Sequence, residues 1–324
     1  MSETKTTSAS RHYPKLDTPY DTYHRIHKKF VGPATAPLLV ELHDSLTEVQ
    51  QPREMYAAGW AAAEASLVGE QFGLEERVKL ARTAQDCWQY ALQLEQERAA
   101  NSAWLKGVWP DSTDQYRIAS TLALAPIIEA IPGGIIPKRT LHTCQDSLLS
   151  VAELNYHDMQ VAISSGITGR ASSHLGVAYE QIAPLGINRL MSSRIVGLFS
   201  LARSGTGYYY PKQTHDVMVL NLEKNKITRV TPTEVKSTLK IKVSNRYDAA
   251  LFGGKATLGK PREMIGTALD AFRDELNGTV TVEQLELLES ISHAIIHSIR
   301  HHHRAEKFGR HCLNMDTCKL EAAS

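Results

Sequence analysis

The sequence predicts a two-part α+β protein: an all-helical N-terminal domain, then an α/β domain with a mixed β-sheet core flanked by helices. Three observations predict it. Apolar residues recur at helical spacing through residues 37–164, with alanine dense among them. After Gly166 the pattern shifts to short β-branched, apolar runs separated by turns. Two further amphipathic stretches close the chain, from about 261 to 276 and from 283 to 304. A chain of 324 residues has room for two domains at roughly 150 residues each.

Residues 1–36 mix Ser, Thr, Pro and Tyr without periodicity, and are expected to be a flexible arm docking locally through Tyr23, Phe30 and Val31. Leu38, Leu39, Leu42, Leu46 and Val49 mark the first helix of the domain. Residues 52–70 form an alanine-rich helix around Trp60. From Leu74 to Ala100, Val78, Leu80, Ala81, Ala84, Trp88, Ala91 and Leu92 make another amphipathic face. Asp111-Ser112 can cap a helix that runs to Ala130, where Pro132-Gly133-Gly134 stops it. A further helix is expected from Arg139 to Val161. The series resembles an array of helical hairpins, but no fixed repeat period identifies it as a tetratricopeptide domain. A packed scaffold or a protein-interaction surface is its expected role.

The second domain is expected to span residues 165–306. It reads as a short helix from Leu175 to Ile182, then strands at Arg194–Arg203, Asp216–Leu222 and Ile227–Val235, with Pro232 marking an edge or bulge. The last two strands are joined by the turn Glu223-Lys224-Asn225-Lys226. Residues 307–324 are read as a loose tail.

Composition excludes several classes. Apolar residues make up 42% and charged residues 22%, ordinary values for a globular protein. No run approaches the roughly 18 uninterrupted apolar residues that would cross a bilayer, so no membrane partner is expected. The N-terminus lacks the apolar core of a secretory signal, and four scattered cysteines do not make a disulfide framework. The expected location is cytoplasmic. A net charge of +1 conceals an uneven distribution: residues 224–262 hold ten Lys and Arg against Glu234 and Asp248 alone. Such a segment can neutralise phosphates, the sequence-independent part of nucleic-acid affinity, although a solvated lysine-rich hairpin has the same composition.

The chemistry-bearing text is His215-Asp216-Val217, a hairpin turn, and a return strand ending Glu234-Val235-Lys236. Side chains alternate along a strand, so Glu234 and Lys236 share one face, where they can meet Asp216 at the sheet rim. Two carboxylates and a lysine form a minimal hydrolytic set. A Mg²⁺-type ion takes carboxylate oxygens and acidifies a bound water, while the lysine offsets charge developing on phosphate.

This order of helix, strand, Asp-bearing strand, Glu-x-Lys strand and helix resembles the core of the PD-(D/E)XK, or restriction-endonuclease-like, nucleases. The resemblance covers about a third of the chain, and His215 stands where that family often has proline. It implies Mg²⁺ (or Mn²⁺)-dependent cleavage of nucleic acid, DNA first. Asp216 and Glu234 would be metal ligands, Lys236 the catalytic lysine, and Glu180 a further ligand from the preceding helix. Lys240, Lys242, Arg246, Lys255 and Lys260 are the expected phosphate contacts.

Rival readings carry less. A non-catalytic helical adaptor, with a degenerate nuclease-like unit that binds nucleic acid or protein, fits the same pattern. Gly254 to Lys260 satisfies G-x-x-x-x-G-K, but Pro261 stands where a phosphate-binding loop needs Ser or Thr. His293 and His297 lie one helical turn apart, a spacing that can share a metal, yet no paired C-x-x-C accompanies them. His174 is expected to pack locally or to line the cleft.

Overall fold

The computed structural model describes residues 18–27, 33–106, 113–191, 195–199, 217–223, 226–233, 260–292, 311–314 and 319–322, the strands at the level of backbone pairing. Helices dominate these residues. They are α1 (Pro19–His27), α2 (Ala36–Thr47), α3 (Pro52–Val68), α4 (Leu74–Lys106), α5 (Thr113–Ala130), α6 (Lys138–Ser164), α7 (Thr168–Met191) and α8 (Lys260–Asn277), with α9 covering residues 282–292. From α2 to α7, each helix packs mainly on the helix before it and the helix after it, and α8 then covers α6 and α7. No helix among the described residues is long and apolar enough to cross a membrane.

Local chemistry sets the boundaries. Pro52 sits at the start of α3, where a missing N–H costs nothing. The end of α3 is closed by Arg77 of α4, whose Nε and Nη2 donate to the carbonyls of Ser66 and Leu67 at 2.7 and 3.1 Å. Those carbonyls have no partner within their own helix, and a guanidinium there also meets the negative end of the helix dipole. Gly134, at φ +77°, supplies the left-handed turn after Ile131–Gly133 that separates α5 from α6. Thr281 and Gln284 form a reciprocal capping box at α9, with Thr281 N–H donating to Gln284 Oε1 at 2.8 Å and Gln284 N–H donating to Thr281 Oγ1 at 3.2 Å.

Alanine dictates how close α3 lies to its neighbours. Residues 54–67 of α3 are all buried, including Ala57, Ala58, Ala61, Ala62, Ala63 and Ala65. A helix surrounded on every side needs small residues wherever a backbone approaches it. Gly59 marks the tightest approach: a Cβ there would overlap the Trp88 indole of α4. Trp88 in turn packs on Trp60, with ring centroids 5.0 Å apart, and donates from Nε1 to the Tyr56 carbonyl at 3.2 Å. Part of the expected flexible arm is helical, as α1, and docks through Tyr23; Phe30 and Val31 lie outside the described residues. The Tyr23 ring is buried against the core and its hydroxyl donates to the buried Glu64 at 3.4 Å.

Among the described residues, the mixed sheet flanked by helices, the restriction-endonuclease-like core, is not formed. The strands β1 (Ile195–Phe199), β2 (Val217–Glu223) and β3 (Lys226–Thr233) make an antiparallel meander in the order β1-β2-β3. A link of two residues between β2 and β3 forces antiparallel pairing, whereas a parallel neighbour needs a crossover of about a dozen residues or more. The helices that were expected to flank a sheet belong instead to the helical array. The helix expected from Leu175 to Ile182 is three times that length as α7, continuing through Pro184. Within the expected loose tail, β4 (His311–Asn314) pairs antiparallel with β5 (Lys319–Ala322).

Several phenols lie deep in this core. Burial raises Tyr56 and Tyr179 to about 12 and Tyr23 well above its usual value. Native phenols therefore keep protons that the unfolded chain gives up near pH 10. Their contribution is complete below that pH and is lost as pH rises toward 12, at about 1.4 kcal/mol per pH unit for each phenol. Thermal melts should show a midpoint steady from pH 7 to 9 and falling steeply from 10 to 12. Tyr56→Phe should shallow that fall, and an unchanged slope would count against the assignment.

Candidate functional site

The expected hydrolytic set flanks the β2–β3 hairpin in sequence. Its register runs from Glu223↔Lys226 to Val217↔Thr233, with an irregularity between Asn221 and Leu222. Asp216 precedes Val217 in sequence, Glu234 follows Thr233, and Lys236 comes two residues later. All three lie outside the described residues, as do Lys240, Lys242, Arg246 and Lys255. Lys260 opens α8. His293 and His297 also lie outside them. Among the described residues, no group of three or more His, Cys, Asp or Glu is placed to hold a metal ion.

Glu180 is the one proposed ligand whose surroundings are defined, and it lies on the helix preceding β1. Its carboxylate is buried and already engaged. Arg117 of α5 donates from Nε to Oε2 at 2.8 Å and from Nη2 to Oε1 at 3.1 Å, while Nη1 reaches Asp114 at 3.1 Å. A forked guanidinium on both oxygens gives the Glu180 carboxylate a structural partner in place of a metal ion.

Beside the pair, a polar network runs through the apolar interface of α5, α6 and α7. Asn155 of α6 donates from Nδ2 to the His174 carbonyl at 3.1 Å and to Gln181 Oε1 at 3.0 Å, and Gln181 donates to Ser120 Oγ at 3.0 Å. With Nδ2 so committed, Asn155 Oδ1 accepts from His174 Nδ1 at 2.7 Å. That settles the local-packing reading of His174, which is 4% exposed. At the rim, Tyr116 donates to Asp158 at 2.7 Å. Buried polar groups are costly unless satisfied, and satisfied ones fix a single helix register.

Two tertiary arrangements left no trace in sequence spacing. One is a cleft of about 500 Å³ between α6 and α8, lined by Glu153, Tyr156, Gly266, Thr267, Leu269 and Asp270. Arg273 spans one side, donating from Nε and Nη2 to Glu153 at 3.0 and 2.9 Å and also meeting Asp146. The other joins α2 to α4. Cys87 Sγ lies 3.5 Å from His43 Nε2, and His43 Nδ1 lies 2.9 Å from Asp44 Oδ1. A carboxylate only accepts, so Nδ1 carries the imidazole proton and Nε2 presents its lone pair to the thiol. Burial, with Asp86 adding to it, raises Cys87 to about 11. Cys144, fully buried, is raised to about 11 by the same desolvation.

No family model, curated protein or solved structure matches the chain.

Proposed function

We propose that the chain hydrolyses phosphodiester bonds of nucleic acid, DNA in the first instance, at the end of the β2–β3 hairpin. The observation that carries this reading is the ladder register: Val217 pairs with Thr233, and the two carboxylates, Asp216 and Glu234, are the next residues along the chain from that pair. Antiparallel partners lie about 5 Å apart, a spacing from which two carboxylates reach a common ion. Hard carboxylate oxygens suit Mg²⁺ or Mn²⁺, which would polarise the phosphoryl oxygen and supply an acidified water. The roles of the chain's own residues follow. Asp216 and Glu234 would hold the cation, and Lys236 would orient the attacking water or offset charge on the phosphate. This reading requires only the hairpin, not a restriction-endonuclease-like sheet.

Charge segregation supports the choice of substrate. Taking the ten cations and two anions of residues 224–262 from totals of 36 and 35 leaves 26 Lys and Arg against 33 Asp and Glu. The remainder of the chain therefore repels a polyanion, and contact concentrates on the hairpin and the segment after it. Lys240, Lys242, Arg246, Lys255 and Lys260 would hold the backbone without reading sequence.

The helical array favours a second reading, a non-catalytic adaptor. Helices that pack on their chain neighbours build extended surfaces suited to binding protein partners.

Supercoiled plasmid and single-stranded DNA incubated with Mg²⁺ or Mn²⁺ separate the two readings. Cleavage by the wild type, abolished by chelator and reduced at least 100-fold in Lys236→Ala, is the expected result. DNA retained on a filter but left intact by a folded wild-type protein would sink the hydrolytic reading in favour of the adaptor.

A further inference from the structure

We propose that Cys87, His43 and Asp44 form a base-assisted thiol site at which a low-molecular-weight disulfide, such as oxidised glutathione, modifies this protein. The arrangement is that of a nucleophile, a base and a residue orienting the base. The thiol faces the His43 Nε2 lone pair at 3.5 Å, and Asp44 holds Nδ1–H at 2.9 Å. This is the geometry that activates a nucleophile weak at its own pKa. The three residues come from α2 and α4, and they sit at the edge of the helical array rather than at its centre. Asp44 is largely exposed, with its side chain 76% accessible, and the His43 side chain retains 14%. Cys87 itself is 5% exposed whereas Cys144 is fully enclosed, and Tyr90 lies exposed about one turn further along α4.

The resting thiol is protonated, because burial and the neighbouring Asp86 disfavour the thiolate. Reaction therefore needs a local proton acceptor. His43 Nε2 takes the proton from Cys87 as Sγ attacks one sulfur of the disulfide. The new Sγ–S bond forms, the old S–S bond breaks, and the departing thiolate takes up a proton from the imidazolium or solvent. The disulfide supplies the oxidising equivalent: Cys87 is oxidised to a mixed disulfide and one glutathione is released as thiol. Asp44 holds the tautomer in which Nε2 is the base and stabilises the imidazolium formed in the step. Cys144, raised to a similar value but bonded to the Ile127 backbone rather than to an imidazole, is the comparison.

The test follows modification of Cys87 and Cys144, two of the four cysteines, by oxidised glutathione in the intact protein, using mass spectrometry of peptides quenched at intervals from pH 5.5 to 9.5. With base assistance, Cys87 reacts well ahead of Cys144, and its rate climbs by much less than tenfold per pH unit. Without it, a thiol of high pKa gains rate about tenfold per pH unit throughout this range. His43→Gln should slow Cys87 at least tenfold at pH 7.5 and restore the tenfold-per-unit climb, with Cys144 remaining protected as an internal report on folding. Asp44→Asn, at an exposed position that does not threaten the fold, should slow Cys87 several-fold. Equal rates for Cys87 and Cys144 in the wild type would overturn the proposal, as would an Asp44→Asn rate indistinguishable from wild type.

Discussion

Glu180→Ala should destabilise the protein by about 3–5 kcal/mol, the cost of leaving a buried guanidinium without its partner. Arg117 loses two charge-assisted bonds, at 2.8 and 3.1 Å, and keeps its contact with Asp114 at 3.1 Å. The Arg117 and Glu180 side chains are about 10% and 7% exposed, so water cannot replace what is removed. The damage should extend beyond the pair. Thr121 bonds the Arg117 carbonyl at 3.1 Å and the Tyr56 hydroxyl at 2.5 Å, linking the site to α3. Urea melts of Glu180→Ala and of the double variant Arg117→Met/Glu180→Leu provide the measurement. The single variant is expected to lose most of the protein's margin of stability, while the double variant should stand near the wild type, since a well-packed apolar pair often equals or exceeds a buried ion pair. If the double variant also loses 3 kcal/mol or more, the ion pair is contributing more than its own desolvation cost. The double variant also separates stability from function: under the hydrolytic reading it should retain DNA cleavage, because Glu180 is no longer counted among the ligands.

The second large effect is expected at the contact between α3 and α4. Trp88→Ala removes a fully buried indole and should cost about 3–5 kcal/mol. Gly59→Ala should cost about 1–3 kcal/mol, because its Cβ would overlap that indole and the close-packed interior has little room to yield. The two losses should not add. With the indole gone, a methyl group at position 59 enters the vacated space and gains helix propensity worth up to about 1 kcal/mol over glycine. Gly59→Ala introduced into Trp88→Ala should therefore be neutral or stabilising. A double-mutant cycle by chemical denaturation reads this reversal directly. Additive losses would mean that Gly59 is required for some reason other than the approach of Trp88.

Much of the helical part is legible in sequence because it is a local property. The spacing of Val78, Leu80, Ala81, Ala84, Trp88, Ala91 and Leu92 announces α4, the Pro132-Gly133-Gly134 stop announces the end of α5, and the hairpin turn announces that β2 and β3 pair. Strand positions were close as well: β1, β2 and β3 fall within a few residues of the apolar runs that predicted them. Sheet architecture was not legible. Three short apolar runs fit a mixed sheet or a meander equally, and only the tertiary arrangement shows that each pairs antiparallel with the next. Glu180 shows the same limit for a site. A carboxylate on the helix before a strand suits a metal-ligand pattern, but whether its charge meets an ion or a guanidinium depends on Arg117, 63 residues away.

By itself, then, the sequence determined the helix periodicities, the hairpin and the basic segment of residues 224–262, because each depends on residues close along the chain; the Asp111-Ser112 cap lies outside the described residues. Tertiary structure decided which polar groups meet. Cys87 found His43 across 44 residues, and Asn155 found Gln181 across 26. Helical spacing specifies which face of a helix turns inward, but not which residue of another helix stands opposite it. That choice is made by the close approach that Gly59 and the alanines of α3 permit, and by the need to satisfy every polar group carried into the core.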